Sequence, residues 1–171
     1  VAGPEDAVIA GVAVVYGDNV DTDQIYPGRY LELVEPDEVA AHAMEGIDPV
    51  FPARAAAGAV VVAGRNFGCG SSREHAVRAL KYCGVRAVVA ESIARIFYRN
   101  CINLGLPAIA LPRVRSLVAP GDRVEIDLEK GVLRNVSRGG RAAFPAFPAE
   151  VRAILKAGGL VPFMRRSGEG A

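Results

Sequence analysis

A chain of 171 residues has the size of one domain and can bury a core without covalent staples. Lys plus Arg is 20 against 19 Asp plus Glu, a net charge of +1 with no run of like charge, which argues against a polybasic nucleic-acid or membrane-surface protein. Hydrophobic residues make up 51%, which excludes intrinsic disorder, while the longest charge-free stretch, Asn100 to Pro112, is shorter than the ~18 apolar residues of a membrane span.

Val8 to Val15, rich in Val and Ile and followed by Gly17, Asp18 and Asn19, predicts a strand that ends in a turn. Val20 to Leu33 reads as a long polar-to-mixed loop holding Asp21, Thr22, Asp23, Arg29 and Glu32. Pro36 and Asp37 open a short helix to Glu45, where Gly46 stops it. Ala59 to Ala63 is an apolar, β-branched run too short for a helix, hence a buried strand. From Ser71 the pattern turns helical, with Ala76, Ala79, Leu80 and Cys83 at steps of three and four. Val85 to Ala90 predicts the next strand, Ile93, Phe97, Cys101 and Leu104 another amphipathic helix, and Pro107 to Leu111 a third buried strand. This alternation argues for an α/β fold with a parallel or mostly parallel sheet core.

Further on, Val124, Ile126 and Leu128 alternate, Lys130 and Gly131 turn the chain, and Val132, Arg134 and Val136 alternate again, which predicts an antiparallel hairpin. Pro148, then Val151, Ile154 and Leu155 on one face, then Gly158, define a last helix. A single domain is expected over residues 1–171, its body running from about residue 8 to 163 and residues 164–171 forming a flexible tail.

Cys69, Cys83 and Cys101 are odd in number, widely spaced and without a Cys-x-x-Cys pair, which fits free thiols in a reducing cytoplasm. His42 and His75 are too far apart for a zinc-ligand spacing, so no metal ligand set is expected in this chain. The first basic residue is Arg29, so the positive n-region of a signal peptide is missing and a cytoplasmic location is expected.

The stretch NFGCGSSREHA, Asn66 to Ala76, lies between a buried strand and an amphipathic helix. Its glycines admit close backbone approach, and the helix N-terminus behind them offers unpaired amides to an anion. Three readings compete. Ser71 and Glu74 have the spacing of a capping box, in which case the glycines only make a turn. A nucleotide cradle is the second; Gly70 stands where a Walker loop needs Lys and Arg73 where a dinucleotide fingerprint needs a small residue, so only Glu91 suits it, as a ribose contact. The third is carboxylate chemistry, with Ser71, Ser72 and the Arg73 guanidinium polarising a carboxylate and stabilising an alkoxide at Ser71.

NFGCGSSREHA, ESIARIFYRNCINLGLP (Glu91 to Pro107) and GDNVDTDQIYPGRYL (Gly17 to Leu31) together resemble the small-subunit family of 3-isopropylmalate dehydratase in the aconitase superfamily, in the same order over about Gly11 to Phe163. The resemblance implies a swivelling β/β/α domain, like the C-terminal domain of aconitase, that closes over a large partner subunit carrying a 4Fe-4S cluster. It implies a hydro-lyase that dehydrates a small 2-hydroxy dicarboxylate and returns the hydroxyl to the neighbouring carbon, the 2- to 3-isopropylmalate isomerisation of leucine biosynthesis. Residue by residue, Ser71 matches the family's serine base, Ser72 and Arg73 flank the substrate carboxylate, and Asp23 lines the site. Asp21 and Thr22 are expected to shape their loop through local side-chain to backbone bonds.

A serine is a poor base unaided, so Arg73 and the helix dipole are required to favour its deprotonated form. The three cysteines lack the close pair usual for cluster ligands, and Cys83 and Cys101 fall on apolar helix stripes; Arg65, Arg95, Arg99 and His75 are read as structural. Arg29, Glu32 and Leu33 lie in the stretch that in this family reads the substrate's variable side chain. Relatives with Tyr-Leu-Arg-Thr there differ from Tyr30-Leu31-Glu32-Leu33 at the last two positions, which leaves a methyl-branched malate or homoaconitate as alternative substrates. A carboxylate at Glu32, or Leu33 alone, favours a malate with an apolar branch over a tricarboxylate.

Overall fold

The computed structural model describes residues 8–169. In chain order it contains β1 (Val8–Val15), α1 (Thr22–Ile25), α2 (Pro36–Ala40), α3 (Phe51–Ala55), β2 (Ala59–Ala63), α4 (Glu74–Cys83), β3 (Val85–Ala90), α5 (Arg95–Asn103), β4 (Ala108–Ala110), α6 (Val114–Leu117), β5 (Arg123–Asp127), β6 (Val132–Asn135), β7 (Arg141–Ala143), α7 (Ala149–Ala157) and α8 (Leu160–Glu169). The strands form one sheet in the order β4-β3-β2-β1-β5-β6-β7. From β1 to β4 the pairs are parallel, with α4 and α5 on the crossovers, and from β1 through β5 and β6 to β7 they are antiparallel. The predicted parallel half and hairpin are therefore present within one mixed α/β sheet, joined along β1.

Alternation along the central strands divides the core between the two faces. All five residues of β2 are buried. Val61 packs with Val88, Ala76, Leu80 and Phe97 on one face, whereas Val60 and Val62 pack with Val89, Ile109, Val124 and Ile126 on the other. Successive side chains of a strand point to opposite faces, so a strand covered on both sides has to be apolar throughout. Among the described residues no helix is long and apolar enough to cross a membrane.

Four features depart from the expectations. The Val20 to Leu33 loop is not predominantly polar: it folds into α1 and a 3-10 turn at Gly28–Tyr30, with Val20, Ile25 and Tyr26 buried in the core. The helix expected to Glu45 stops at Ala40, because Met44 turns to φ 61° and its amide bonds the Ile25 carbonyl at 2.7 Å while the Gly46 amide bonds that of Gln24 at 3.1 Å. A side chain at Gly46 would collide with the Gln24 backbone, so glycine is required by that close approach as much as by helix termination. The third departure is α4, which begins at Glu74 and not at Ser71, and the fourth is that β7 and α8 extend the fold beyond the predicted elements. Residues 164–169 of the expected tail are thus helical; 170 and 171 lie outside the described residues.

Candidate active site

The C-terminal ends of β1, β2 and β3 feed three loops that continue to pair past the edge of the sheet. The Thr22 amide donates to the Cys69 carbonyl at 2.8 Å and the Gly68 amide to that of Val20 at 2.8 Å. On the other side Phe67 pairs with Ile93, and the Ala94 amide donates to the Phe67 carbonyl at 2.9 Å. The glycine-rich loop is consequently held between its neighbours as a short added strand. Gly68 has φ +80°, and a Cβ there would overlap the Phe97 ring, so only glycine satisfies both conformation and packing. This end of a parallel sheet is where open α/β folds place their ligands.

A cleft of about 280 Å³ opens there, lined by Thr22, by Gly68 and Gly70 to Arg73 of the loop, by Ala94, and by Arg95 to Phe97 and Asn100 of α5. Ser71 and Ser72 are exposed in it, outside the helix. The capping box, one of the three readings of this loop, is absent: the N-cap of α4 is Arg73, no side chain caps it, and Glu74 pairs with Arg78 at 3.2 Å. The capping box of this region is instead at Asp21, whose carboxylate accepts from the Gln24 amide at 2.8 Å while Gln24 Oε1 accepts from the Asp21 amide at 3.0 Å. This local bonding is the loop-shaping role expected of Asp21. The first amides of α4 are left without a side-chain cap next to Ser71 and Ser72.

Arg73 Nη1 donates to Asp23 Oδ1 at 3.0 Å and to the Tyr26 carbonyl at 3.3 Å, and its side chain is largely buried. The same Asp23 oxygen accepts from the Gly28 amide at 3.0 Å. The Arg73 hydrogen bond, with that amide, holds the Asp23 carboxyl below its ordinary range, so it remains an anion. Asp23 does not itself line the cleft. His75 stacks on Tyr26 with centroids 6.1 Å apart, a packing role.

The aconitase C-terminal domain family matches residues 17–114. The 3-isopropylmalate dehydratase small subunit 1 of Methanopyrus kandleri is 52% identical over 94% of this chain and 95% of its own length, and the small subunit of Moorella thermoacetica 48% identical over 93% and 96%. A crystal structure of 3-isopropylmalate dehydratase from Methanocaldococcus jannaschii superposes with a TM-score of 0.87 at 48% identity, covering 94% of this chain and 95% of that one. The chain belongs to the 3-isopropylmalate dehydratase small-subunit family.

Placed in that family, the remaining expected residues divide. Arg29, Glu32 and Leu33 do not line the cleft. Arg29 pairs with Glu45 at 3.3 Å and lies over the Tyr30 ring at 4.7 Å. Glu32 is exposed and Leu33 packs against the core. Glu91 pairs with Arg115 at 3.4 Å and is absent from the lining, which removes the one feature that suited a nucleotide cradle.

The cysteines of this small-subunit chain do not fit an iron-sulfur cluster. Cys83 and Cys101 are buried in the core, where burial pushes the Cys83 thiol up to about 11 and that of Cys101 higher still, the opposite of what a thiolate ligand requires. Cys69 stands apart from them in the glycine loop. The α5 side of the lining escaped the sequence reading, Asn100 among it, and so did Arg95, read there as structural, which opens the first turn of α5 at the cleft. Its place directly after the β3 loop, at the same sheet edge as Ser71, is the signal that marks it.

Proposed function

We propose that this chain is the small subunit of a hydro-lyase that interconverts 2- and 3-isopropylmalate in leucine biosynthesis, active only with a large subunit. In this reading the large subunit carries the 4Fe-4S cluster, and the complex acts in the cytoplasm, to which three unpaired thiols are suited. The observation that carries it is the Arg73 guanidinium, fixed by Asp23 and the Tyr26 carbonyl beside two exposed serines and uncapped helix amides.

Taking a proton from carbon next to a carboxylate builds negative charge on that carboxylate, and groups already aimed at it stabilise the transition state without reorganising. Arg73 and Ser72 hold the substrate carboxylate. Ser71 Oγ, as alkoxide, removes the proton, with Arg73 and the α4 amides favouring its charged form, as the C–O bond on the neighbouring carbon breaks; the large subunit's cluster would supply the Lewis acid that the departing hydroxide needs. Asp23 is a positioning residue that keeps the guanidinium turned toward the cleft. Arg29, Glu32 and Leu33 belong to the rim that meets the substrate's branch. Supporting this, their loop starts at Gly28, whose amide bonds the same Asp23 oxygen as Arg73.

Reconstitution tests the proposal. The purified chain alone should not dehydrate 3-isopropylmalate, and turnover should appear when a cluster-loaded large subunit is added anaerobically. Turnover by the metal-free chain alone, or none with any large subunit of the family, would overturn it.

A further inference from the structure

The cleft holds a second guanidinium. We propose that Arg95 binds the second carboxylate of the 2-hydroxy dicarboxylate whose first carboxylate is held by Arg73; this rests on the function proposed above. Arg95 lines the cleft from the first turn of α5, and Arg73 lines it from the loop before α4. Arg73 is engaged by Asp23 and Arg115 by Asp18 and Glu91, but Arg95 has no ion pair or side-chain hydrogen bond among the described residues.

Among the described residues no Asp or Glu lines the cleft, and the two charged side chains that do are both cationic. That charge pattern matches a dianion better than a monocarboxylate or a zwitterion, because each guanidinium presents a planar fork that a carboxylate fills with two parallel bonds. Asn100 lines the same stretch and adds an amide able to donate to a carboxylate or hydroxyl oxygen. The volume, about 280 Å³, suits a small branched diacid.

The experiment compares 3-isopropylmalate with 2-(hydroxymethyl)-3-methylbutanoate, the same skeleton lacking the carboxylate on the hydroxyl-bearing carbon and keeping the one assigned to Arg73. Dissociation constants for both are measured by calorimetry on the reconstituted complex, carrying wild-type chain, Arg95→Gln or Arg95→Lys. Wild type should prefer the diacid by about 30-fold or more, Arg95→Gln should shrink that preference to about threefold or less, and Arg95→Lys should recover part of it. In turnover assays KM should rise more than kcat falls. A preference retained by Arg95→Gln would overturn the proposal. So would a defect cured by excess large subunit with the preference intact, since Arg95 would then be a subunit contact. A wild-type complex that binds the diacid in this Arg95-dependent way but does not turn it over would refute the proposed reaction and leave the Arg95 assignment standing.

Discussion

Arg73 Nη1 and Asp23 Oδ1 meet at 3.0 Å across 50 positions of chain, joining the glycine-rich loop after β2 to the loop after β1. The ion pair is open to water on the Asp23 side, so its contribution lies in orientation more than in stability. Asp23→Ala should therefore leave the melting temperature nearly unchanged but lower kcat/KM of the reconstituted enzyme about tenfold, through a guanidinium free to turn away. Arg73→Lys should cost more, about 10²-fold or beyond, because an ammonium cannot make the paired contacts. Steady-state kinetics on both variants checks the order, and a smaller loss for Arg73→Lys would contradict it.

Ser71 lies outside α4 and caps nothing, which separates chemistry from stability more sharply than its spacing to Glu74 suggested. Ser71→Ala should reduce turnover by about 10³-fold or more while changing unfolding free energy by only ~0.5 kcal/mol or less. Denaturant unfolding beside a rate assay tests both halves. Near-normal turnover would move the base to the large subunit.

Gly68 combines φ +80° with a Cβ position inside the Phe97 ring. Gly68→Ala should destabilise the fold by about 2–4 kcal/mol, through backbone strain and overpacking together. A urea midpoint unchanged within error would show that the loop can shift without loss.

Asp122 anchors the turn before β5: it accepts from the Ala119 amide at 2.9 Å, from Asn135 Nδ2 at 2.8 Å and from Arg138 Nε at 2.9 Å. The Ala119 amide first, then Asn135 and Arg138, hold its carboxyl below the ordinary 3.8. A folded-state value below the unfolded one gives stability that is fully present above about pH 4 and lost as pH falls through the lower folded value. Asp122→Asn should consequently melt lower at pH 7 and lose less of its melting temperature than wild type between pH 5 and 3. Parallel acid limbs in calorimetric scans would exclude Asp122 as a contributor.

Periodicity in the sequence determined the central strands and the helices between them, because a strand buried on both faces must be apolar at each position and a helix on one stripe. That is why Ala59–Ala63 is legible residue for residue, while Val8–Val15 and Val85–Ala90, where Val8, Val12 and Arg86 stay exposed, are legible from their β-branched runs and the turns that bound them. The glycine-serine-arginine loop was legible as a candidate site for a similar reason, since its backbone demands and charged groups are local. Pairings between distant segments leave no such trace. The start of α4 is set by Arg73 reaching Asp23, the end of α2 by Met44 and Gly46 turning to the Gln24 and Ile25 carbonyls, and Arg95's entry into the cleft by Phe67 pairing with Ile93. Each depends on which loops the sheet order brings side by side, and strand order is decided by long-range packing that no single window of sequence contains.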